Sequence, residues 1–243
     1  MNNVYEGLEN LAILKNAKNY NSYLSSIIIS AGFSCSRVID FGAGLGTFAV
    51  ECRSAGMEVS CVEPDDLLRS KLQEHGFKVY KTIDAVMPES IDYIYTLNVL
   101  EHIDDDREAL RQFWCRLRPG GKILIYVPAF QWLYSAMDEL VGHKRRYTKR
   151  GLESLVRETG FHVDEAQYVD SLGALATLAF KWFGNGEGRI NQRGLSLFDK
   201  FIFPASLLCD RALRHIIGKN VLIQAHRPLE RRLPTISAKN GLV

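Results

Sequence analysis

The chain has 243 residues, 47% of them hydrophobic, 24% charged and 10% aromatic, and a formal net charge of +2. That length suits one large α/β domain with a covering segment, and it buries a core without disulfide staples. The composition excludes disordered, collagenous and coiled-coil classes, and the near-neutral charge excludes a dedicated nucleic-acid binder.

Cys35, Cys52, Cys61, Cys115 and Cys209 fall at no metal-ligand spacing and read as reduced thiols, most of them in the core. Met1 to Glu6 lacks the basic start of a leader peptide, and no uncharged apolar run reaches the ~20 residues of a membrane span. A cytoplasmic location is the expectation.

Apolar residues at helical spacing over 8–31 predict one or two helices ending at Gly32. Arg37–Phe41 predicts a strand, followed by a glycine-rich turn and a helix from Thr47 to Ala55. A strand at Glu58–Val62, a helix from Asp65 to His75 and a strand at Phe77–Tyr80 come next. Ile91–Leu97 predicts the fourth strand, Asp105–Leu117 a helix and Lys122–Val127 the fifth strand. Strands alternating with helices at this spacing imply βαβ units and a parallel sheet.

After Pro128 the rhythm changes. Residues 129–147 show no clean periodicity and predict an insertion. Thr148 caps a helix running to Thr159, and Phe161–Val169 alternates as a strand. Residues 171–183 form an apolar helix, and Gly184–Gly188 is a loop. Leu195–Ile217 is amphipathic, with Leu195, Phe198, Ile202, Ala205, Cys209, Ala212 and Ile216 as the apolar stripe, and Pro204 bends or divides it. Val221–Ala225 is a final strand.

The turn Asp40-Phe41-Gly42-Ala43-Gly44-Leu45-Gly46-Thr47 lets backbone approach a ligand and offers the N–H groups of the next helix. Glu63 ends the next strand about 20 residues on, where a carboxylate can accept both ribose hydroxyls. A nicotinamide-dependent oxidoreductase of Rossmann type would have G-x-G-x-x-G, whereas this chain has G-x-G-x-G with Asp40 two residues before it. That combination resembles motif I of the class I S-adenosylmethionine-dependent methyltransferases. Asp84-Ala85, the run Ile91 to His102 and Leu117-Arg118-Pro119-Gly120-Gly121 resemble later motifs of that family, in the right order over residues 37–127.

The resemblance implies a Rossmann-like fold: a seven-stranded, mostly parallel sheet with an antiparallel last strand, helices on both faces and a helical lid. It implies S-adenosylmethionine as cofactor, with Gly42, Gly44 and Gly46 along its methionine part. Glu63 would take the ribose, Asp84 the adenine and Asn98 the strand-four border, and Asp40 would organise the turn or bind the amino group through water. Residues 1–35 would be an N-terminal helical segment and 36–128 the cofactor-binding core. Residues 129–218 would hold the lid insertion, sixth strand and acceptor-covering helices, and 219–243 the last strand and tail.

Methyl transfer from an activated donor asks mainly for orientation, and a base only when the acceptor must lose a proton. His102, just past strand four, is the first candidate base, against the plainer reading of an orienting histidine. Asp104-Asp105-Asp106 read as a helix cap, with a cation cluster as the alternative, and no metal is called. In the insertion, Trp132 and Tyr134 are candidates to line an acceptor pocket and Arg145 and Arg146 to grip an anionic group, against the plainer reading of a solvated basic loop. The Gly-His-x-Arg-Arg-Tyr run at 142–147 resembles a stretch found in one subgroup of bacterial methyltransferases, and His143 and Tyr147 are secondary candidates.

Strand four lacks the Asn/Asp-Pro-Pro-aromatic tetrad of enzymes acting on nucleic acid bases or glutamine, which leaves small-molecule and lipid-linked acceptors, methylated on O or N, with anionic ones among the options. A module that binds the cofactor without catalysis is a further alternative. The apolar stretch 172–217 allows core packing, a homodimer or a peripheral membrane contact. Residues 1–142 carry net charge −6 and residues 143–243 net +8, so the total conceals a basic second half where an anionic partner would bind.

Overall fold

The computed structural model describes residues 15–183 and 192–229. The beginning of the predicted first helix, the glycine loop at 184–188 and the tail from 230 lie outside the described residues. Chain order is α1 (Lys18–Ala31), β1 (Arg37–Phe41), α2 (Thr47–Ser54), β2 (Glu58–Val62), α3 (Asp66–Glu74), β3 (Lys78–Tyr80), β4 (Ile91–Leu97), α4 (Asp106–Arg116) and β5 (Leu117–Pro128). Then follow α5 (Ala136–Val141), α6 (Lys149–Glu158), β6 (His162–Val169), α7 (Ser171–Phe183), α8 (Gln192–Leu197), α9 (Phe203–Leu213) and β7 (Asn220–His226).

The strands form one seven-stranded sheet in the order 3-2-1-4-5-7-6, with β7 antiparallel to both neighbours and the others parallel. This is the predicted sheet. Alternation along the strands sorts side chains onto two faces. Ile39, Ile94, Ile123 and Ile125 pack with Leu110 and Phe113 of α4 and Leu152 and Val156 of α6. Val38, Tyr93, Tyr95, Leu124 and Tyr126 pack with Leu24 and Ile28 of α1 and Ala49 and Cys52 of α2. Helices therefore cover both faces. Strand order reverses beside β1, so the carboxyl ends of β1 and β4 flank the crevice where ligands of such sheets bind.

Three details differ from the sequence reading. β5 begins at Leu117 and not Lys122, because Ile91 pairs with Leu117 across an irregularity before the regular register resumes at Tyr93. Residues 129–147 contain a short helix, α5, closed by a capping box between Ser135 and Asp138 and by left-handed Gly142. Six residues are too few to show a 3.6-residue period.

The third concerns the predicted stripe. Residues 198–202 form a π turn between α8 and α9, with Pro204 in the first turn of α9. The wider turn shifts the phase and brings Phe203 inside, while Ile216, 69% exposed, lies past the end of α9. Asp199 and Asp210, which the helical spacing put on the polar side, are helix caps. Asp199 accepts from the backbone N–H groups of Asn19 (3.1 Å) and Tyr20 (2.9 Å) at the start of α1. Asp210 accepts from Asp170 (2.8 Å) and Ser171 (2.9 Å) at the start of α7. The π turn and α9 thus dock on the domain. Leu197, Phe201 and Leu208 stay more than half exposed. Cys115 is an exposed thiol, Cys52 and Cys61 are buried, and no described cysteine forms a disulfide. No described helix is long and apolar enough to cross a membrane.

Candidate functional site

The glycine turn joins β1 to α2 at the carboxyl edge of the sheet. Gly42, Gly44 and Gly46 have φ of +78°, +55° and +74°, the left-handed region that side chains disfavour. A Cβ on Gly42 would stand 2.3 Å from Val99 Cγ2, and one on Gly46 would stand 2.6 Å from Leu72 Cδ2. The turn is therefore closed down on both neighbours. Glu63, at the end of β2, pins it from the front: Oε2 accepts from Gly44 N (2.8 Å) and Oε1 from Asp65 N (3.0 Å). Each oxygen keeps a lone pair for another donor. Burial raises the Glu63 carboxyl, and the two N–H donors partly offset that.

Asp40 is buried beneath the turn. Burial pushes its carboxyl up to about 7, Tyr95 opposes that, and the charge of Glu63 adds to it. Asn98, just past β4, has φ +53° and donates its backbone N–H to Tyr126 O at 2.7 Å. A non-glycine residue held in that region belongs to a place where the surroundings fix the backbone. Asp84 lies in a 3₁₀ turn at Ile83–Ala85, exposed and paired with Arg116 (3.4 Å).

The segment 129–147 folds back onto the turn after β4. Ala129 and Tyr147 form a parallel bridge, and Lys144 N donates to Glu101 O at 2.8 Å. Arg146 places Nε 2.8 Å from Asp138 Oδ1 and Nη2 3.0 Å from Asp138 Oδ2, and donates to Ala129 O at 3.1 Å. Arg145 binds Asp106 (3.0 Å) and Asp104 O (2.8 Å). Both guanidinium groups are thus held by acidic residues of the protein itself. Part of the basic second half thus meets counter-charges of the acidic first half, as Lys144 with Asp104 and Arg227 with Glu89 also do.

Tyr147 is buried and donates its hydroxyl to Asp106 Oδ2 at 2.8 Å. Tyr134 donates to His143 O at 2.8 Å. Trp132, 48% exposed, leans on Phe130, which stacks on Tyr168 with ring centroids 4.7 Å apart. Asp105 caps α4, and with Asp104 and Asp106 held by Lys144 and Arg145 the acidic run is accounted for.

His102 and His143, distant in sequence, stand with ring centroids 4.7 Å apart. Beside them Glu101 is fully buried, with neither carboxylate oxygen hydrogen-bonded and Oε1 3.6 Å from His143 Nε2. Burial pushes its carboxyl up to about 8, against its own backbone N–H and then the Arg146 charge. Burial, and then His143, push the His102 imidazole down to about 4. Sequence reasoning passed over Glu101 because nothing in the pattern shows that a residue following a strand will be sealed by a segment 40 positions later.

A second polar group also escaped the sequence reading. The Tyr20 hydroxyl lies 3.3 Å from that of Tyr126. Asp170, at φ +65° past the end of β6, is buried with one carboxylate oxygen unpartnered. A period-2 pattern cannot flag the Tyr126 hydroxyl as a hydrogen-bonding group, since an inward tyrosine reads as core.

Comparison with known proteins adds to this geometry. Residues 13–166, more than half the chain, match the family model described as a methyltransferase domain. The S-adenosyl-L-methionine-dependent Diels-Alderase iliD of Neonectria sp. is 28% identical over 156 residues, covering 60% of this chain and 63% of that protein, just under two thirds of its length. A SAM-dependent methyltransferase structure from Thermotoga maritima has a TM-score of 0.60 at 18% identity, covering 93% of this chain and 100% of that one. Phosphoethanolamine N-methyltransferase 2 of Haemonchus contortus, in complex with S-adenosyl-L-methionine, has a TM-score of 0.53 at 18% identity, covering 79% and 49%. The two structures share the fold. The family model that matches describes a methyltransferase domain and not the Rossmann oxidoreductases kept as an alternative. The chain belongs to the class I S-adenosylmethionine-dependent methyltransferases.

Proposed function

We propose that this chain binds S-adenosylmethionine across the β1/β4 crevice and transfers its methyl group to O or N of a small, largely apolar acceptor. The observation that carries the reading is the left-handed glycine turn at the carboxyl edge of β1, packed against Val99 and Leu72 and clamped through Gly44 N by Glu63. When bound, the cofactor supplies an activated methyl group, so the protein's task is placement and exclusion of water. Gly42, Gly44 and Gly46 give the close backbone approach, and the free lone pairs of Glu63 accept the ribose hydroxyls. Asn98 borders the site from β4, and Asp84 reaches the adenine edge. Trp132, Phe130 and Tyr168 support an aromatic acceptor-facing wall. The exposed Leu197, Phe201 and Leu208, with Lys200 and Arg211 also exposed, support an acceptor carrying a lipid-like part.

Calorimetry with S-adenosylhomocysteine tests the cofactor site. The wild type is expected to bind, and Glu63→Ala to lose on the order of 10- to 100-fold, since hydrogen bonds to a charged carboxylate are worth roughly 1.5–3 kcal/mol. Equal affinity in the two proteins would remove Glu63 from the site. Transfer itself is read by S-adenosylhomocysteine release against a panel of phenolic and amine acceptors. Binding without release across the panel would favour a non-transferring module.

Asp40 gives a pH signature. The neutral form is favoured by burial, so the stability it contributes is present in acid and lost as pH rises from the ordinary carboxylate range to about 7. The ammonium of the cofactor favours the ionised form. Affinity should therefore fall about tenfold per pH unit below that pKa, because each unit costs about 1.4 kcal/mol. Asp40→Asn should bind weakly with no such slope, and a slope that survives the substitution would assign it to another group.

A further inference from the structure

Among the described residues, Glu101 is a buried ionisable group that the cofactor site does not use. It is 0% exposed, and neither oxygen has a hydrogen-bond partner. A buried carboxyl in that state demands something that neutralises it. The two histidines beside it are arranged so that neither can do so as they stand. His143 Nδ1 lies 2.7 Å from Asp138 Oδ1. The Arg146 guanidinium donates to both oxygens of Asp138, at 2.8 and 3.0 Å, the fork geometry of an accepting carboxylate. Asp138 is thus an acceptor, and the proton sits on His143 Nδ1. The lone pair of His143 Nε2 then points to the Glu101 side, 3.6 Å from Oε1. His102 Nδ1 lies 3.3 Å from Gly142 O, a carbonyl that can only accept, so this ring too keeps its proton on Nδ1 and its lone pair on Nε2.

Three ligand atoms therefore converge, one from each residue, all within 4.8 Å of one another. We propose that Glu101, His102 and His143 form a binding site for a divalent transition-metal ion, with Zn²⁺-like preference for nitrogen and oxygen ligands. The Nδ1 protons of both histidines are fixed by a carboxylate and a backbone carbonyl, the outer-shell arrangement that orients imidazole ligands. Two neutral imidazoles and one carboxylate on one side of the ion leave coordination positions open for water or an oxygen-bearing small molecule. The charges fit as well: Arg146 pairs with Asp138, and Glu101, on releasing its proton to solvent, supplies the negative charge facing the ion.

The site adjoins the cofactor cradle without sharing a residue with it. Val99, two residues before Glu101, is the side chain against which Gly42 closes. The third ligand arrives on the 129–147 segment, whose backbone is tied to Glu101 by the Lys144 N–H. In this reading His102 and His143 are ligands and not proton carriers. Metal binding is independent of methyl transfer, and its test reads the ion alone.

Metal-stripped wild-type protein titrated with Co²⁺ should take up one equivalent and develop the visible absorption of a low-symmetry nitrogen- and oxygen-ligated ion, which Zn²⁺ then displaces. Glu101→Gln, which keeps the shape, and His102→Ala, at a half-buried ring, should each weaken Zn²⁺ binding by at least on the order of 100-fold, since loss of an outer-shell partner alone costs about 10- to 100-fold. Melting curves of the metal-free variants establish that they fold. Absence of Co²⁺ uptake by the folded wild type, or uptake unchanged by either folded variant, overturns the site. The first result would mean that Glu101 is simply a protonated buried acid.

Discussion

Gly42→Ala is expected to abolish measurable binding of S-adenosylhomocysteine and to destabilise the fold by about 2–5 kcal/mol. The new Cβ would stand 2.3 Å from Val99 Cγ2 and 2.9 Å from Cγ1, distances at which one backbone must move. The position has φ +78°, so the alanine adds conformational strain to the overlap. Moving Gly42 shifts Gly44, whose N–H is the donor that holds Glu63, and with it both halves of the cofactor cradle. Urea unfolding gives the stability change and calorimetry the binding loss. Val99→Ala in the same chain removes both clashing methyls and should recover a good part of the stability, as expected for two positions in contact. The left-handed strain would persist. Full binding by the single Gly42→Ala variant would show that the turn yields at little cost.

Arg146→Ala should cost roughly 3–5 kcal/mol, because it leaves the Asp138 carboxylate buried with its bidentate partner gone. Asp138 is 1% exposed and Arg146 6%, so solvent does not substitute for either. The sign of the pH dependence follows from the depressed Asp138 carboxyl. Its stabilisation is present above the ordinary carboxylate range and is lost as pH falls through and below it. The deficit of Arg146→Ala should therefore be full at neutral pH and narrow in acid. Equal stability of variant and wild type at pH 7 would show that the pair carries no net weight. Arg145→Ala, where the guanidinium is a third exposed, should cost far less. The contrast separates a buried anchor from a half-exposed pair on adjacent residues that sequence reasoning treated alike.

Those two arginines also show where pattern reading stops. A run of Lys144, Arg145, Arg146 is basic in sequence, but its chemistry depends on what it meets, and it meets Asp104, Asp106 and Asp138. The net +8 of the second half consequently overstates its attraction for an outside anion. The amphipathic stretch over 195–217 held only in part for a related reason. Helical spacing assumes an unbroken 3.6-residue period; across the π turn Leu195, Phe198, Ile202, Ala205 and Cys209 stay half-buried, while Phe203 takes the buried place and Asp199 turns inward as a cap.

The sequence by itself determined the alternation of strands and helices, the glycine turn after β1 and the acidic residue ending β2, because each depends on residues close together in the chain. Period-2 and period-3.6 patterns, a turn that needs positive φ, and a fixed strand–turn–helix length are local properties. Tertiary structure alone decided that His143 meets Glu101 and His102, that Asp199 and Asp210 cap helices far from them, and that Tyr20 reaches Tyr126. These contacts join segments separated by tens of residues or more, and burial, which removes water as the alternative partner, gives them their chemistry. Glu101 is the sharpest case: an ordinary glutamate in sequence, it becomes an unpartnered buried acid only when the 129–147 segment closes over it.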